Sequence, residues 1–324
     1  MKLGFSPSIL GANWNKPDYQ TQFEKIHCHK PHEFWDPPVV LFSETFSTFY
    51  GNLQSSEFTP AHEDGESAID LMSKMSIAFA GSDSIKVVWN NWASRYFEKQ
   101  FESQRTSDSF LQLRVDNISA LLATKEDKLT DGGDALIQNI GYYVNFWREM
   151  EGNQAAHSYR PSFLLEQQGT NLSISGAISK NSVFVVDHFV SINLLSSPYY
   201  LEKIIEVAKV LRALKEAFSQ LEKEYKEQDY LKKDFKQFEF PIYRKTNNLT
   251  WTYKRQLERE RLVFEGTTSE GLPIIIKFSL TYSPKAHALC YESGIAPELL
   301  GYQEVIFSHF FSFHFLDFNS FHFS

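Results

Sequence analysis

Between Asp108 and Phe146 the chain sets carboxylates, an ammonium and an amide at spacings that suit phosphodiester hydrolysis. An apolar strand predicted over 119–124 runs into Glu126-Asp127-Lys128. The turn Asp131-Gly132-Gly133-Asp134 follows, and an amphipathic helix predicted over 135–150 carries Gln138. Side chains two apart on a strand share a face, so Glu126 and Lys128 are expected to emerge together while Asp127 points away. Cleaving a phosphodiester calls for a hard cation, Mg²⁺ or Mn²⁺, held by oxygen ligands, and for a positioned water. Asp108 and Glu126 can supply the oxygens. Lys128 can orient the water and stabilise the pentavalent transition state, and Gln138 can reach the same water or a nearby phosphate. A lone Glu-x-Lys at a strand end is most often a solvated edge; the order of Asp, strand, turn and helix is what gives it meaning.

Five segments carry a resemblance. PPVVLFSETFSTFYG (37–51), RTSDSF (105–110), KEDKLTDGGDALIQNIGYYVNF (125–146) and RPSFLLEQQGTNLSISGAI (160–178) resemble the PD-(D/E)XK nuclease-like region of Crinkler-family effectors. LPIIIKFSLTYSPKAHALCYESGIAPELLGY (272–302) is similar to the start of the protein-kinase-like domain that follows it in many fungal members. The resemblance covers roughly residues 31–305 and rests on several ordered motifs. It implies an α+β chain with a restriction-endonuclease-like core, a long connector helix and a partial kinase-like N-lobe sheet. It also implies a nuclease site of Glu44, Asp108, Glu126, Lys128 and Gln138, with Asp108 and Glu126 on the metal. Implied too are a nucleic-acid substrate, with DNA favoured, host proteins as possible partners, and a secreted or translocated effector acting inside a host cell, in the nucleus; that there is no membrane span is read from bulk composition. Ser109 stands between Asp108 and Phe110, where relatives tend to have the Asp directly before the aromatic; a bulge can absorb one such residue. Asp116 is an alternative carboxylate, but Asp116-Asn117 reads better as the hairpin turn between FLQLRV and ISALLAT.

The elements that must position these residues show in the apolar spacing. After a polar arm over 1–36, Val39, Phe42, Phe46, Phe49 and Leu53 fall near helical spacing with Glu44 off the stripe. Further helices are expected over 66–80, with Ile69, Leu71, Met72, Met75 and Ile77 inside, and over 85–101, with Trp89, Trp92 and Phe97 inside. The helix carrying Gln138 should bury Leu136, Ile140, Tyr143 and Phe146. Strands are expected over 162–166, 172–178 and 182–186, with Gly169 in a turn. Glu166 ends its strand as a fallback carboxylate, read as an ordinary strand-end charge. The nuclease-like domain then spans 37–198. A helix with many i,i+4 Glu/Lys pairs fills 199–240; it is read as a connector whose apolar stripe packs on the nuclease core rather than as a coiled coil.

Over 241–305, three antiparallel strands would set Lys277 where a kinase third strand offers its lysine to ATP phosphates. Arg259-Glu260-Arg261 replaces a glycine-rich loop, Lys285 stands near the expected helix glutamate, and no H-R-D or D-F-G follows. A catalytically inactive module that could still hold ATP is expected. The stretch 306–324, dense in Phe, reads as neither a kinase strand nor a membrane span, and as an altered C-terminus.

The 324 residues carry a net charge of −8, whereas a nonspecific phosphate binder is basic. Contacts to a nucleic acid would therefore be local, at Lys125, Lys128, Arg105, Arg114, Arg148, Arg160 and the Lys-rich helix, although a solvated charge is the commoner role of each. Two distant cysteines, Cys28 and Cys290, fit a reducing compartment. His27-Cys28-His29 and His32 match no standard zinc spacing. Pro7 breaks the first apolar run, so no signal peptide is expected.

Overall fold

The computed structural model describes residues 26–28, 38–77, 82–103, 109–115, 118–128, 134–149, 159–180, 183–195, 200–227, 240–246, 249–258, 262–279, 282–305 and 311–317. The fold is mixed α+β, in two compact units, 38–239 with the first 31 residues and 240–324 with 32–37.

The first unit is built on a seven-stranded sheet. Its strands are β1 (Ile26–Cys28), β2 (Glu102–Ser103), β3 (Ser109–Val115), β4 (Ile118–Lys128), β5 (Ser162–Gln168), β6 (Asn171–Lys180) and β7 (Val183–Asn193), in the order β1-β7-β6-β5-β4-β3-β2. Neighbours β2, β3 and β4 form an antiparallel meander, with a register shift at Leu111/Gln112. Helix α4 (Ala135–Glu149) then crosses over, and β5 returns parallel to β4. A parallel pair needs a crossover of this kind. The rest is antiparallel except for β1, which joins β7 in parallel. The N-terminal arm expected as irregular thus supplies an edge strand.

Helices cover both faces. On one face lie α1 (Glu44–Gln54), α3 (Ser82–Tyr96) and α5 (Leu201–Glu227), with α2 (His62–Ile77) packed on α5. Phe163 of β5 sits at the centre of this layer, with ring centroids 4.9 and 5.2 Å from Phe46 and Phe49 of α1 and 5.7 Å from Phe218 of α5. Gly176, its partner on β6, has no side chain for a steric reason: a Cβ there would lie 2.4 Å from the Phe189 ring. The expected connector helix is therefore a layer of the first unit, burying Ala208, Leu211, Leu214, Phe218 and Leu221. Helix α4 lies on the other face, over β4 and β5. Its buried stripe is Ile137, Ile140, Tyr143, Val144 and Trp147, whereas Leu136 and Phe146 are half-buried. Ile69 of α2 and Ile205 of α5 are likewise more exposed than their spacing predicted, at 41% and 46%. Each helix turns the stripe that its neighbours can cover toward them, and near-equivalent apolar stripes are not told apart by periodicity.

The second unit is a five-stranded antiparallel sheet of β8 (Trp251–Glu258), β9 (Val263–Thr268), β10 (Pro273–Ser279), β11 (Leu299–Val305) and β12 (Phe311–Asp317), in the order β11-β12-β10-β9-β8. Helix α6 (Pro284–Glu292) lies between β10 and β11 in sequence. Phe240, Tyr253, Phe264, Ile274, Ile276 and Phe278 are buried in this unit. The Phe-rich stretch, which read as neither a kinase strand nor a membrane span and as an altered C-terminus, contributes β12, between β10 and β11. Its Phe-Ser-Phe-His-Phe order alternates with period two, and alternation rather than Phe content makes a strand. No described helix is long and apolar enough to cross a membrane.

Removing the ring of Phe163 would empty the centre of the aromatic layer. Phe163→Ala is expected to cost about 3–5 kcal/mol in chemical denaturation followed by far-UV circular dichroism; a loss below about 1 kcal/mol would mean the layer collapses onto the gap.

Candidate active site

The polar residues of the first unit gather where β4 and β5 end and α4 begins. Parallel register sets Glu126 opposite Glu166, Asp127 opposite Gln167 and Lys128 opposite Gln168. Strand β4 runs four residues beyond its expected end, so Glu126 and Lys128 lie within the paired ladder. The structure describes their backbone. Asp108 lies outside the described residues; the β3–β4 pairing is seen from Ser109, opposite Lys125. Asp131, Gly132 and Gly133 also lie outside them.

Asp134 opens α4 as its N-cap, its Oδ1 accepting the Leu136 and Ile137 amides at 2.8 and 3.2 Å. An acidic side chain here satisfies free amides and complements the helix dipole. One turn on, Gln138 is buried and donates from Nε2 to the Tyr142 hydroxyl at 3.0 Å. The helix residue that reaches the strands is its neighbour, Asn139. Its Oδ1 accepts from the Thr124 hydroxyl of β4. Its Nδ2 donates to the Leu165 carbonyl at 3.1 Å and to Glu166 Oε1 at 3.4 Å. Ser175 of β6 donates to Glu166 Oε2 at 3.5 Å. Thr124, Asn139 and Ser175 are fully buried, and Glu166 is 5% exposed.

Glu166 is thus not the surface charge its strand-end position predicted. Burial pushes its carboxyl well above the usual carboxylate range; the Asn139 and Ser175 bonds oppose the shift, and the Asp134 charge adds to it. Its described partners are a neutral amide and a neutral hydroxyl. Sequence reasoning passed over Asn139, Thr124 and Ser175. The available signal was an Asn inside an apolar helix, a residue that disfavours helix interiors and needs partners when buried.

Other expected site residues are placed elsewhere. Glu44 is exposed at the start of α1. The next residue, Thr45, donates from its amide and hydroxyl to Glu224 of α5, at 3.0 and 2.6 Å. Helix α1 packs on the Phe163 face near the start of β5, and Tyr225 of α5 donates to the Pro161 carbonyl at 2.8 Å. Glu44 is therefore on the opposite layer from Asn139 and toward the opposite end of β5, and the structure does not bring it to Glu166. Lys125, expected as a phosphate contact, is fully buried with Nζ 4.8 Å from the centre of the Trp89 ring. Arg160 is buried too, its guanidinium 5.5 Å from the Trp147 ring centre and its backbone left-handed at φ 52°. Several basic residues of α5 are committed to carboxylates: Lys203 to Glu206, Arg212 to Glu216, Lys215 to Glu98 and Lys226 to Glu222. Arg105 lies outside the described residues, and Arg114 and Arg148 are described in backbone. In the second unit, Lys277 is exposed on β10, opposite Val263 and His314. Residues 259–261, at the position of a glycine-rich loop, lie outside the described residues.

Among the described residues, no group of three or more His, Cys, Asp and Glu side chains is placed to hold a metal ion. The donors at the β4–β5 end are nonetheless of the right kind: carboxylate oxygens suit Mg²⁺ and Mn²⁺, and Glu166 has no cationic partner among the described residues. Comparisons with protein-family models, curated proteins and solved structures returned no match.

An acid whose folded pKa is raised adds stability below its unfolded value, about 4.3 for Glu. That stability is lost as pH rises through the folded value. Glu224, raised by burial, acts with the same sign. In metal-free protein, Glu166→Gln is expected to flatten the fall of Tm between pH 4 and pH 8 and to raise Tm at the alkaline end. A Tm profile parallel to wild type would mean that Glu166 is not held neutral.

Proposed function

We propose that the first unit is a metal-dependent nuclease with a PD-(D/E)XK-like core of the Crinkler type, hydrolysing phosphodiesters of nucleic acid, with DNA the polymer implied by the resemblance. The observation that carries this reading is the succession of an antiparallel meander, a crossover helix and a parallel strand, with Glu126-x-Lys128 at the carboxyl end of the parallel pair. In α/β sheets the crevice beyond the carboxyl ends of parallel strands is where ligands bind. Glu126, with Asp108, would hold Mg²⁺ or Mn²⁺, which when bound neutralises charge on the phosphate and lowers the pKa of water. Lys128 orients the attacking water and offsets the charge developing at phosphorus. Gln138, tied to Tyr142, stands on the first turns of α4 beside Asn139 and assists from the helix side. Glu44 is left out of the working site because it lies on the other layer.

Purified protein with Mg²⁺ or Mn²⁺ is expected to cut a panel of DNA and RNA substrates. Glu126→Gln and Lys128→Ala should each lower the rate about a hundredfold or more, the scale of losing one charge-stabilising group. Metal-independent cutting, or variants as fast as wild type, would overturn the assignment.

A second reading concerns the other unit: a kinase-like N-lobe that binds nucleotide without turnover. Five antiparallel strands with a helix between the third and fourth, and an exposed Lys277 on the third, support it. Mg-ATP is expected to raise the Tm of the unfolding step of this unit by mass action, and Lys277→Ala to cancel the rise. No shift in wild type would remove nucleotide from the reading.

A further inference from the structure

We propose that Glu166 is a further metal-holding carboxylate of this site, facing Glu126 across the parallel ladder, and that Asn139 is the residue that positions it. The proposal rests on the nuclease reading of β4 and extends its donor set to β5.

Parallel register puts the two residues on adjacent strands at facing positions, and neighbouring strands run about 4.8 Å apart. Acidic residues paired in this register on adjacent strands can share one hard cation. Glu166 is built in rather than left at an edge: it is 5% exposed and sits over a fully buried amide and hydroxyl. Its two bonds, at 3.4 and 3.5 Å, are long and fall one to each oxygen. A carboxylate has about four lone-pair sites, so acceptor capacity remains on both oxygens. A carboxyl kept merely for structure would be served as well by Gln, which avoids the cost of burying an acid without a counter-charge.

Asn139 fixes the direction of Glu166. Its amide has no freedom to flip without losing a bond, because Thr124 donates to the carbonyl oxygen while the Leu165 carbonyl accepts from the NH₂ group. Hydrogen bonds to a ligating carboxylate orient it and tune affinity, and removing such a partner typically costs 10–100-fold. Thr124, Asn139, Glu166 and Ser175 thus tie α4 to β4, β5 and β6 through one line of bonds that runs through the Glu166 carboxyl.

The test is calorimetric titration of the full chain with Mn²⁺, a readout independent of cleavage. Glu126→Gln and Glu166→Gln are each expected to weaken Mn²⁺ binding at least about tenfold. Glu166→Asp, which keeps the charge one methylene short, should fall between Glu166→Gln and wild type, and it serves if the Gln variant fails to fold. Asn139→Ala, titrated well below its own unfolding transition, should lose about tenfold, which a purely structural role would not produce. Loss in Glu126→Gln with wild-type affinity in Glu166→Gln and Glu166→Asp would overturn this proposal and leave the nuclease reading standing. Unchanged affinity in Asn139→Ala would remove its positioning role. Absence of Mn²⁺ binding by wild type would overturn both proposal and reading.

Discussion

The first unit depends on the parallel pairing of β4 with β5. Parallel strands cannot be joined by a tight turn, so the chain must leave the sheet, cross one face as α4 and return in register. The crossover brings the N-terminus of α4 to the carboxyl ends of both strands. Thr124, Asn139, Glu166 and Ser175 then lock that register from inside. A slip of one residue would turn Glu166 into the aromatic layer and Phe163 toward α4. Both outcomes are costly, because a buried polar group without partners loses more than a typical hydrogen bond contributes. The polar network therefore sets the fold and gathers the candidate chemistry with the same bonds.

The two faces of the sheet divide the work. One carries the aromatic layer of Phe46, Phe49, Phe163 and Phe218, where burial stabilises by area and shape. The other, under α4, holds the polar network of Thr124, Asn139, Glu166 and Ser175. Alternation along β6 shows the division: Leu172 and Ile174 are fully buried toward the aromatic layer, while Ser173 and Ser175 look the other way and Ser173 continues outward to Ser191. Charge follows a related logic. The chain is acidic overall, and the α5 cations named above are satisfied by nearby carboxylates rather than held for an anionic polymer. Exposed pairs of this kind contribute little to stability.

Much of this organisation was legible in the sequence. The β3–β4 hairpin, the helix with Gln138 and the later strands follow from period-two and period-3.6 spacing, whereas Asp134, read as part of a turn, caps that helix. Helix α5 was readable as an amphipathic element, and its heptads were too few to stand alone. What failed was also orderly. Lys125 and Arg160 were read as solvent-facing because lysine and arginine usually are; here aromatic rings cover them. The last strand shows only as the alternation of Phe with Ser and His, and its pairing between β10 and β11 is decided by the sheet.

The sequence by itself determined most of the elements and the residue types able to hold a cation or move a proton, because these depend on local spacing and side-chain chemistry. Tertiary structure alone decided which of those residues meet. Glu166 became a buried acid only because α4 and β6 close over it, and Asn139 became its partner because the crossover lands there. Glu44 was separated from them because α1 packs against Phe163 on the opposite face. Such encounters are set by register and by which face each helix covers, and no single stretch of sequence encodes either.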